Sequence, residues 1–286
     1  MNITFVFILF LTHLACGLLI TLLFLPEAGI DRRFFKSISF WSFLFLASAL
    51  LLERHYAFSL PLPFKVSQGR FAQPSTELLN IANILGVTLA ATCFLFWMFA
   101  RWGSLRLFIV IRFAGLLALG LLCVEALIYR PQLNPLWVST INLPLNFISS
   151  ALLLGSFLAG MIFGHWYLID TEMPKKLLLQ MAWILIGALA LRVLSIAVTL
   201  LLYKELVYPE TNFMENLISL AGHGIFFWQR VLVGLVIPAI AAVMVWSTAR
   251  GGSNQSATGI MYVGIAFIFI GELAARYLFL LSAIPL

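Results

Sequence analysis

The sequence predicts an all-α fold, a polytopic bundle of about eight transmembrane helices that makes one integral membrane domain of residues 1–286. Two observations carry this. The chain is 63% hydrophobic and 10% charged, with mean hydropathy +1.06, whereas soluble domains hold roughly a quarter charged residues. The apolar residues also fall into runs of about 20, enough to cross a hydrocarbon core as a helix. None of the runs has the period-two alternation of an outer-membrane strand, so helices are predicted rather than a β-barrel.

The first run, about residues 3–25, carries no charge and lacks the basic n-region and small-residue cleavage site of a signal peptide, so it is expected to remain as a helix. The second, about 36–52, is the shortest and the weakest. The third and fourth span about 79–100 and 105–129, and the fourth holds Arg112 and Glu125. The fifth is expected over about 145–169, directly after Pro144, and the sixth over about 177–203 around Arg192. The seventh, about 224–248, opens on FFWQRVLV with Arg230, and the eighth, about 257–283, contains Glu272 and Arg276. Glycine and proline inside the runs, as in GLLALGLL and LVIPAIAA, point to close helix packing or a kink.

The formal charge of +6 is not a nucleic-acid footprint, because the basic residues sit at helix ends rather than in a stripe. They report topology instead. Connections after the odd-numbered helices hold Arg32, Arg33, Lys36, Arg101, Arg106, Lys175, Lys176 and Arg250, eight in all, against five on the other side, Arg54, Lys65, Arg70, Arg130 and Lys204. Positive residues stay in the cytoplasm, so both termini are expected outside, with the two longest polar stretches, about 53–78 and 204–223, facing outward. Cys16, Cys93 and Cys123 all lie in apolar runs without CxxC spacing, so no disulfide frame and no zinc or iron–sulfur site is expected. Neither an internal repeat nor a linker marks a second domain.

An ionisable side chain inside hydrocarbon costs at least a few kcal/mol and so needs a partner or a task. Arg112, toward the inner end of its helix, can snorkel to the headgroups. Glu125, Arg192, Arg230, Glu272 and Arg276 belong to the outer half, and the i, i+4 spacing of the last two lets them pair. His13 and His165 raise the question of a b-type haem, but their depths differ by roughly 15 Å along parallel helices, more than one iron can bridge, while ligation through a single histidine stays open. Near the outer surface lie Arg54 and His55, Glu77 and His223. A redox-active quinone needs an apolar slot, a donor at each carbonyl and a proton route, which a histidine beside a carboxylate supplies. His55 and Glu77, with Arg54, are the best candidates, since the proline-rich loop between the second and third helices is expected to bring them face to face.

A histidine closing the second helix in LLERHY and a glutamate opening the third in PSTELLN, 22 positions later, resemble the membrane-anchor subunit of the dimethyl-sulfoxide reductase family, related to polysulfide reductase membrane subunits. NPLWVSTINLPLNF, FFWQRVLV with its Trp-x-Arg, and FIGELAARYLF with its Gly-Glu-Leu and later arginine extend the likeness along essentially the whole chain. The chain departs from that pattern at His13, at GHWYL around His165, and in lacking Gly-Ser-Pro after His55. The resemblance implies a haem-free anchor in a bacterial or archaeal inner membrane, which binds no metal itself. It would hold an iron–sulfur subunit and a molybdopterin catalytic subunit on the outer face and exchange electrons with menaquinone or ubiquinone. His55, Glu77 and Arg54 would then line the quinone site, and Glu125, Arg192, Arg230, Glu272 and Arg276 would support it. Two other classes compete: a secondary transporter or channel, which calls for a pseudo-symmetry absent from this sequence, and a b-haem quinol-oxidising subunit using His13 or His165.

Overall fold

A computed structural model describes residues 3–59, 71–100, 106–133, 135–169, 174–207, 217–219 and 224–286. These form eight helices long and apolar enough to cross a membrane. They are α1 (Ile3–Leu22), α2 (Arg32–Ser59), α3 (Thr76–Phe99), α4 (Arg106–Ile128), α5 (Leu136–Ile169) and α6 (Lys175–Leu202), then α7 (Gly224–Arg250) and α8 (Asn254–Ser282). α6 runs on into a π-helical turn at Tyr203–Val207, and α7 is interrupted by another at Leu232–Val236.

Two helices are longer than the sequence suggested. α2, expected to be the shortest, has 28 residues, because Arg32, Arg33, Glu53, Arg54 and His55 lower the hydropathy of its ends while sitting where polar side chains reach water. α5 begins at Leu136 and carries Pro144 within it. Proline is tolerated within a membrane helix packed among neighbours, and α5 is mostly buried in the bundle. The stretch NPLWVSTINLPLNF is therefore mostly helix and not a segment leading into one.

α1, α5 and α8 form the centre, with 78%, 83% and 61% of their spans buried against 22% for α3. α1 packs against α2, α4, α5 and α8, while α2 and α3 pair as a hairpin on the flank and α6 and α7 close the other side. The tightest crossing is α1 on α5. A Cβ on Gly17 would lie 1.8 Å from the Ala151 carbonyl oxygen, and one on Gly155 would lie 1.9 Å from the Gly17 carbonyl carbon. Without a hydrophobic drive between helices in lipid, such backbone contact through small residues is what holds them.

At the end where α2 stops and α3 starts, Ser75 caps α3 through the Leu78 amide at 3.2 Å. The amide of Ala72 donates to the Arg130 carbonyl at 2.9 Å, which ties the approach to α3 to the end of α4. A second apolar cluster joins Val6, Phe71, Tyr129, Phe147 and Phe279 there, so α1 begins and α8 ends at this same end of the bundle. The chain leaves α8 through Ala283 in the left-handed conformation (φ 63°) and tucks inward, burying Ile284 and Leu286.

Replacing Gly17 or Gly155 with leucine is expected to separate α1 from α5 and remove the folded protein from the monodisperse fraction in detergent size-exclusion chromatography. Gly120→Ala, where an added Cβ meets nothing within 4 Å, is expected to leave the elution profile and thermal midpoint unchanged or slightly raised, by up to about 1 kcal/mol of helix propensity.

Candidate functional site

α8 turns the side chain of Glu272 into the middle of the bundle, where it has no exposure to solvent. Three guanidinium groups from three helices meet it. Arg230 Nη2 of α7 donates to Oε1 at 2.6 Å and Arg192 Nε of α6 reaches the same oxygen at 3.4 Å, while Arg276 Nη1 donates to Oε2 at 2.8 Å. Ser150 of α5 completes the carboxylate by donating its hydroxyl to Oε2. The i, i+4 pairing of Glu272 and Arg276 expected from the sequence is therefore present, inside a larger cluster.

Each arginine is also tied elsewhere. Arg230 Nη1 reaches the Gly234 carbonyl at 3.3 Å, an oxygen within the π-helical turn of α7. Room for this comes from Gly234 crossing Gly271: a Cβ on Gly234 would lie 2.7 Å from both Arg230 Nη1 and the Gly271 Cα. Arg192 Nη1 donates to the Asn146 side-chain oxygen at 3.0 Å, and its Nη2 to the Leu286 carbonyl at 2.6 Å. Asn146 and Asn142 donate in turn to Thr199 at 2.8 and 2.9 Å, and Ser195 donates to Asn146 at 2.8 Å. The polar face of α5 thus meets that of α6 in a fully buried seam.

Arg276 extends the cluster toward α1 and α4. Its Nη2 contacts His13 Nδ1 at 2.7 Å and Ser150 Oγ at 2.9 Å. The other ring nitrogen of His13, Nε2, faces Glu125 Oε2 at 3.5 Å. Phe147 packs against the imidazole at a centroid distance of 4.6 Å. A cavity of about 20 Å³, room for one water molecule, opens between His13, Asn146, Ser150, Arg192 and Arg276.

The charged residues grouped in the sequence as one outer set therefore divide in two. Glu125, Arg192, Arg230, Glu272 and Arg276 are buried and come together with His13. Arg54, His55 and Glu77 are exposed at the α2–α3 end, with Glu77 in the first turn of α3, where the helix N-terminus favours a carboxylate. His223, Lys65, Arg70 and most of both long polar loops lie outside the described residues. Arg112 pairs with Glu27, beyond the end of α1, at 3.0 Å. His165 is exposed near the end of α5. It lies 15 residues beyond Ser150, about 22 Å of helix rise from the level of His13.

The sequence reading missed Asn142, Asn146, Ser149 and Ser150 on α5 and Ser195 and Thr199 on α6. Their spacing held the signal: i, i+4, i+7, i+8 on one helix, and i, i+3, i+7 from Arg192 on the next. Glu53 was also missed. It is half-buried on α2, two residues before His55.

Comparison of the chain with models of known protein families and with curated proteins found no match.

Removing one member of a buried ion cluster strands the others and costs about 3–5 kcal/mol. Glu272→Gln, which leaves three guanidinium groups without their carboxylate, is expected to lower the thermal midpoint of the lipid- or detergent-embedded protein sharply. Arg112→Ala, which removes a half-exposed pair, is expected to change stability by less than about 1 kcal/mol. Equal effects of the two substitutions would contradict the central place given to Glu272.

Proposed function

We propose that the chain is the membrane anchor and quinone-interacting electron-transfer subunit of a respiratory oxidoreductase. It passes electrons between the quinone pool and an iron–sulfur partner, with a molybdopterin subunit as the terminal catalyst. The observation that carries this reading is the pairing of polar and apolar groups on the α2–α3 hairpin. His55 and Glu77 are exposed at the adjoining ends of two packed helices. Leu51, one turn before His55, and Ile81 and Ile84, one and two turns after Glu77, are exposed below them. A quinone has the same division, a polar ring and an apolar tail, and it arrives from the lipid that these flank helices face.

The chemistry assigned to the residues follows from their types. His55 supplies a hydrogen bond to a ring oxygen and accepts or returns a proton as the ring changes oxidation state. Glu77 supplies the carboxylate that takes the second proton, and Arg54 adds positive charge beside a ring that gains negative charge on reduction. The resemblance to the dimethyl-sulfoxide reductase anchors assigns His55 and Glu77 the same role. The charged residues of two family-like strings, Arg230 in FFWQRVLV and Glu272 with Arg276 in FIGELAARYLF, meet at one point, as expected if those strings serve a common architecture.

The count of eight basic residues against five orients the α2–α3 end outward, which sets the partner subunits on the outer face of a bacterial or archaeal inner membrane.

His55→Ala is expected to leave assembly with the partner subunits intact and to lower quinol-dependent reduction by the complex at least about 100-fold, the scale of a lost proton-transfer group. Glu77→Gln is expected to act in the same direction. Affinity purification of the wild-type complex is expected to bring down a protein with four-cysteine cluster motifs. Normal quinol turnover in His55→Ala would remove the site, and recovery of the chain alone would remove the anchor assignment.

A further inference from the structure

The pair His13 and Glu125 has no part in the chemistry assigned to the α2–α3 surface, and its geometry is unlike the rest of the cluster. Glu272 has every oxygen engaged. His13 Nε2 and Glu125 Oε2, by contrast, face each other across 3.5 Å, and neither atom has a hydrogen-bond partner among the described residues. Both residues are more than nine-tenths buried.

The tautomer of His13 follows from its other neighbour. A guanidinium group can only donate, so the 2.7 Å contact between Arg276 Nη2 and His13 Nδ1 requires Nδ1 to be the unprotonated acceptor. The ring proton then sits on Nε2 and points at Glu125 Oε2. A second proton on the ring would place N–H against N–H at Arg276. A proton added to this pair therefore goes to the glutamate and not to the histidine.

We propose that Glu125 is a proton-binding carboxyl inside the membrane that exchanges its proton with water at the α2–α3 end, with the His13 Nε2–H held facing it. That end is the opening: Glu125 lies in the last turn of α4, whose exit at Arg130 is tied to the approach to α3. In the transfer an O–H bond of a hydronium ion breaks and a carboxyl O–H bond forms at Glu125, and the return step reverses it. No electron moves.

The charges around the pair are accounted for helix by helix. His13 on α1 faces Glu125 of α4, Arg276 and Glu272 of α8, and Arg192 of α6. Glu125 feels Glu53 of α2 and Arg276 of α8, and it acts on Tyr129, just beyond α4, and on Cys16 of α1. α5 contributes Asn146 and Ser150 beside the His13 cavity but no charge, and α3 carries only Glu77, in its first turn. Arg276 brings a positive charge near Glu125, which lets the carboxylate persist once its proton has left.

This inference goes beyond the quinone reading and does not need it, so its test uses the chain alone. The full-length protein is reconstituted in lipid without quinone or partner subunits and titrated across about pH 5 to 9 by infrared difference spectroscopy. The expected result is a protonated-carboxyl C=O band that grows as pH falls, moves in D₂O and with ¹³C-labelled glutamate, and is missing in Glu125→Gln. Glu125→Asp, which keeps a carboxyl, is expected to shift the band rather than remove it. Glu53→Gln, at a half-buried position of α2 near the same end, is expected to keep the band. A titration with no band dependent on residue 125, or a band lost in Glu53→Gln, overturns the proposal. Either outcome is independent of whether His55 and Glu77 bind quinone.

Discussion

A carboxylate buried without solvent contact in a membrane bundle is tolerable only if its charge is matched and its lone pairs are filled, because hydrocarbon offers no alternative partner. Glu272 meets that condition by drawing one arginine from each of α6 and α7 and one from its own helix, with a hydroxyl from α5. Four of the eight helices are thereby fixed in rotation about their own axes, since turning any one of them by a residue would take away a counter-charge or, for α5, the hydroxyl that fills Oε2. Apolar packing alone does not specify rotation in lipid, where every face of a helix finds an equally apolar neighbour. The polar cluster supplies that specification, and the glycine crossings make it reachable. Gly234 and Gly271 let α7 and α8 approach closely enough for Arg230 to reach Glu272 at 2.6 Å, and the π-helical turn offers the Gly234 carbonyl to the same guanidinium. Gly17 and Gly155 do the equivalent for α1 and α5, which sets His13 beside Ser150 and Arg276.

The eight spans were legible in the sequence because hydrocarbon thickness imposes a length that little else in a protein imposes. Their ends were less so. Hydropathy read α2 short because its terminal charges belong to the interface, and it started α5 late because Pro144 breaks helices in water but not where neighbours satisfy the backbone. The individual members of the cluster, Glu125, Arg192, Arg230, Glu272 and Arg276, stood out as single charges in apolar runs. Their partition did not. Sequence depth grouped them with Arg54, His55 and Glu77, and only tertiary packing separates a buried set from an exposed one. Asn142, Asn146, Ser149, Ser150, Ser195 and Thr199 went unread for a different reason. Neutral polar residues barely lower hydropathy, and their meaning lies in helical spacing on two successive helices rather than in composition.

That partition has a functional consequence. Glu272 and the arginines around it are held by several hydrogen bonds and ion pairs, so the shape of this cluster is poorly suited to a ligand that comes and goes. The α2–α3 hairpin has the opposite character: peripheral, mostly exposed to the surroundings and carrying its polar residues at the surface. A mobile hydrophobic substrate is better served by the flank, and the centre is better suited to hold that flank in place. The division also sorts the two positions on α2. His55 is exposed at the hairpin's end, while Glu53, two residues earlier, is half-buried.

Within the buried set, rigidity is graded in one direction. From Glu272, where both oxygens are shared among several donors, it decreases through Arg276 to His13 and ends at Glu125, whose Oε2 faces a donor 3.5 Å away without forming a hydrogen bond. A fully satisfied ion has no reason to change its protonation, because each neighbour would have to move with it. An incompletely satisfied one does, since a proton there can come and go without disturbing Arg276 or Glu272. The fixed end of the gradient therefore orients the labile end. Arg276 sets the His13 tautomer, the tautomer aims Nε2–H at Glu125, and Glu125 is the point at which a static network meets a group that can gain and lose charge.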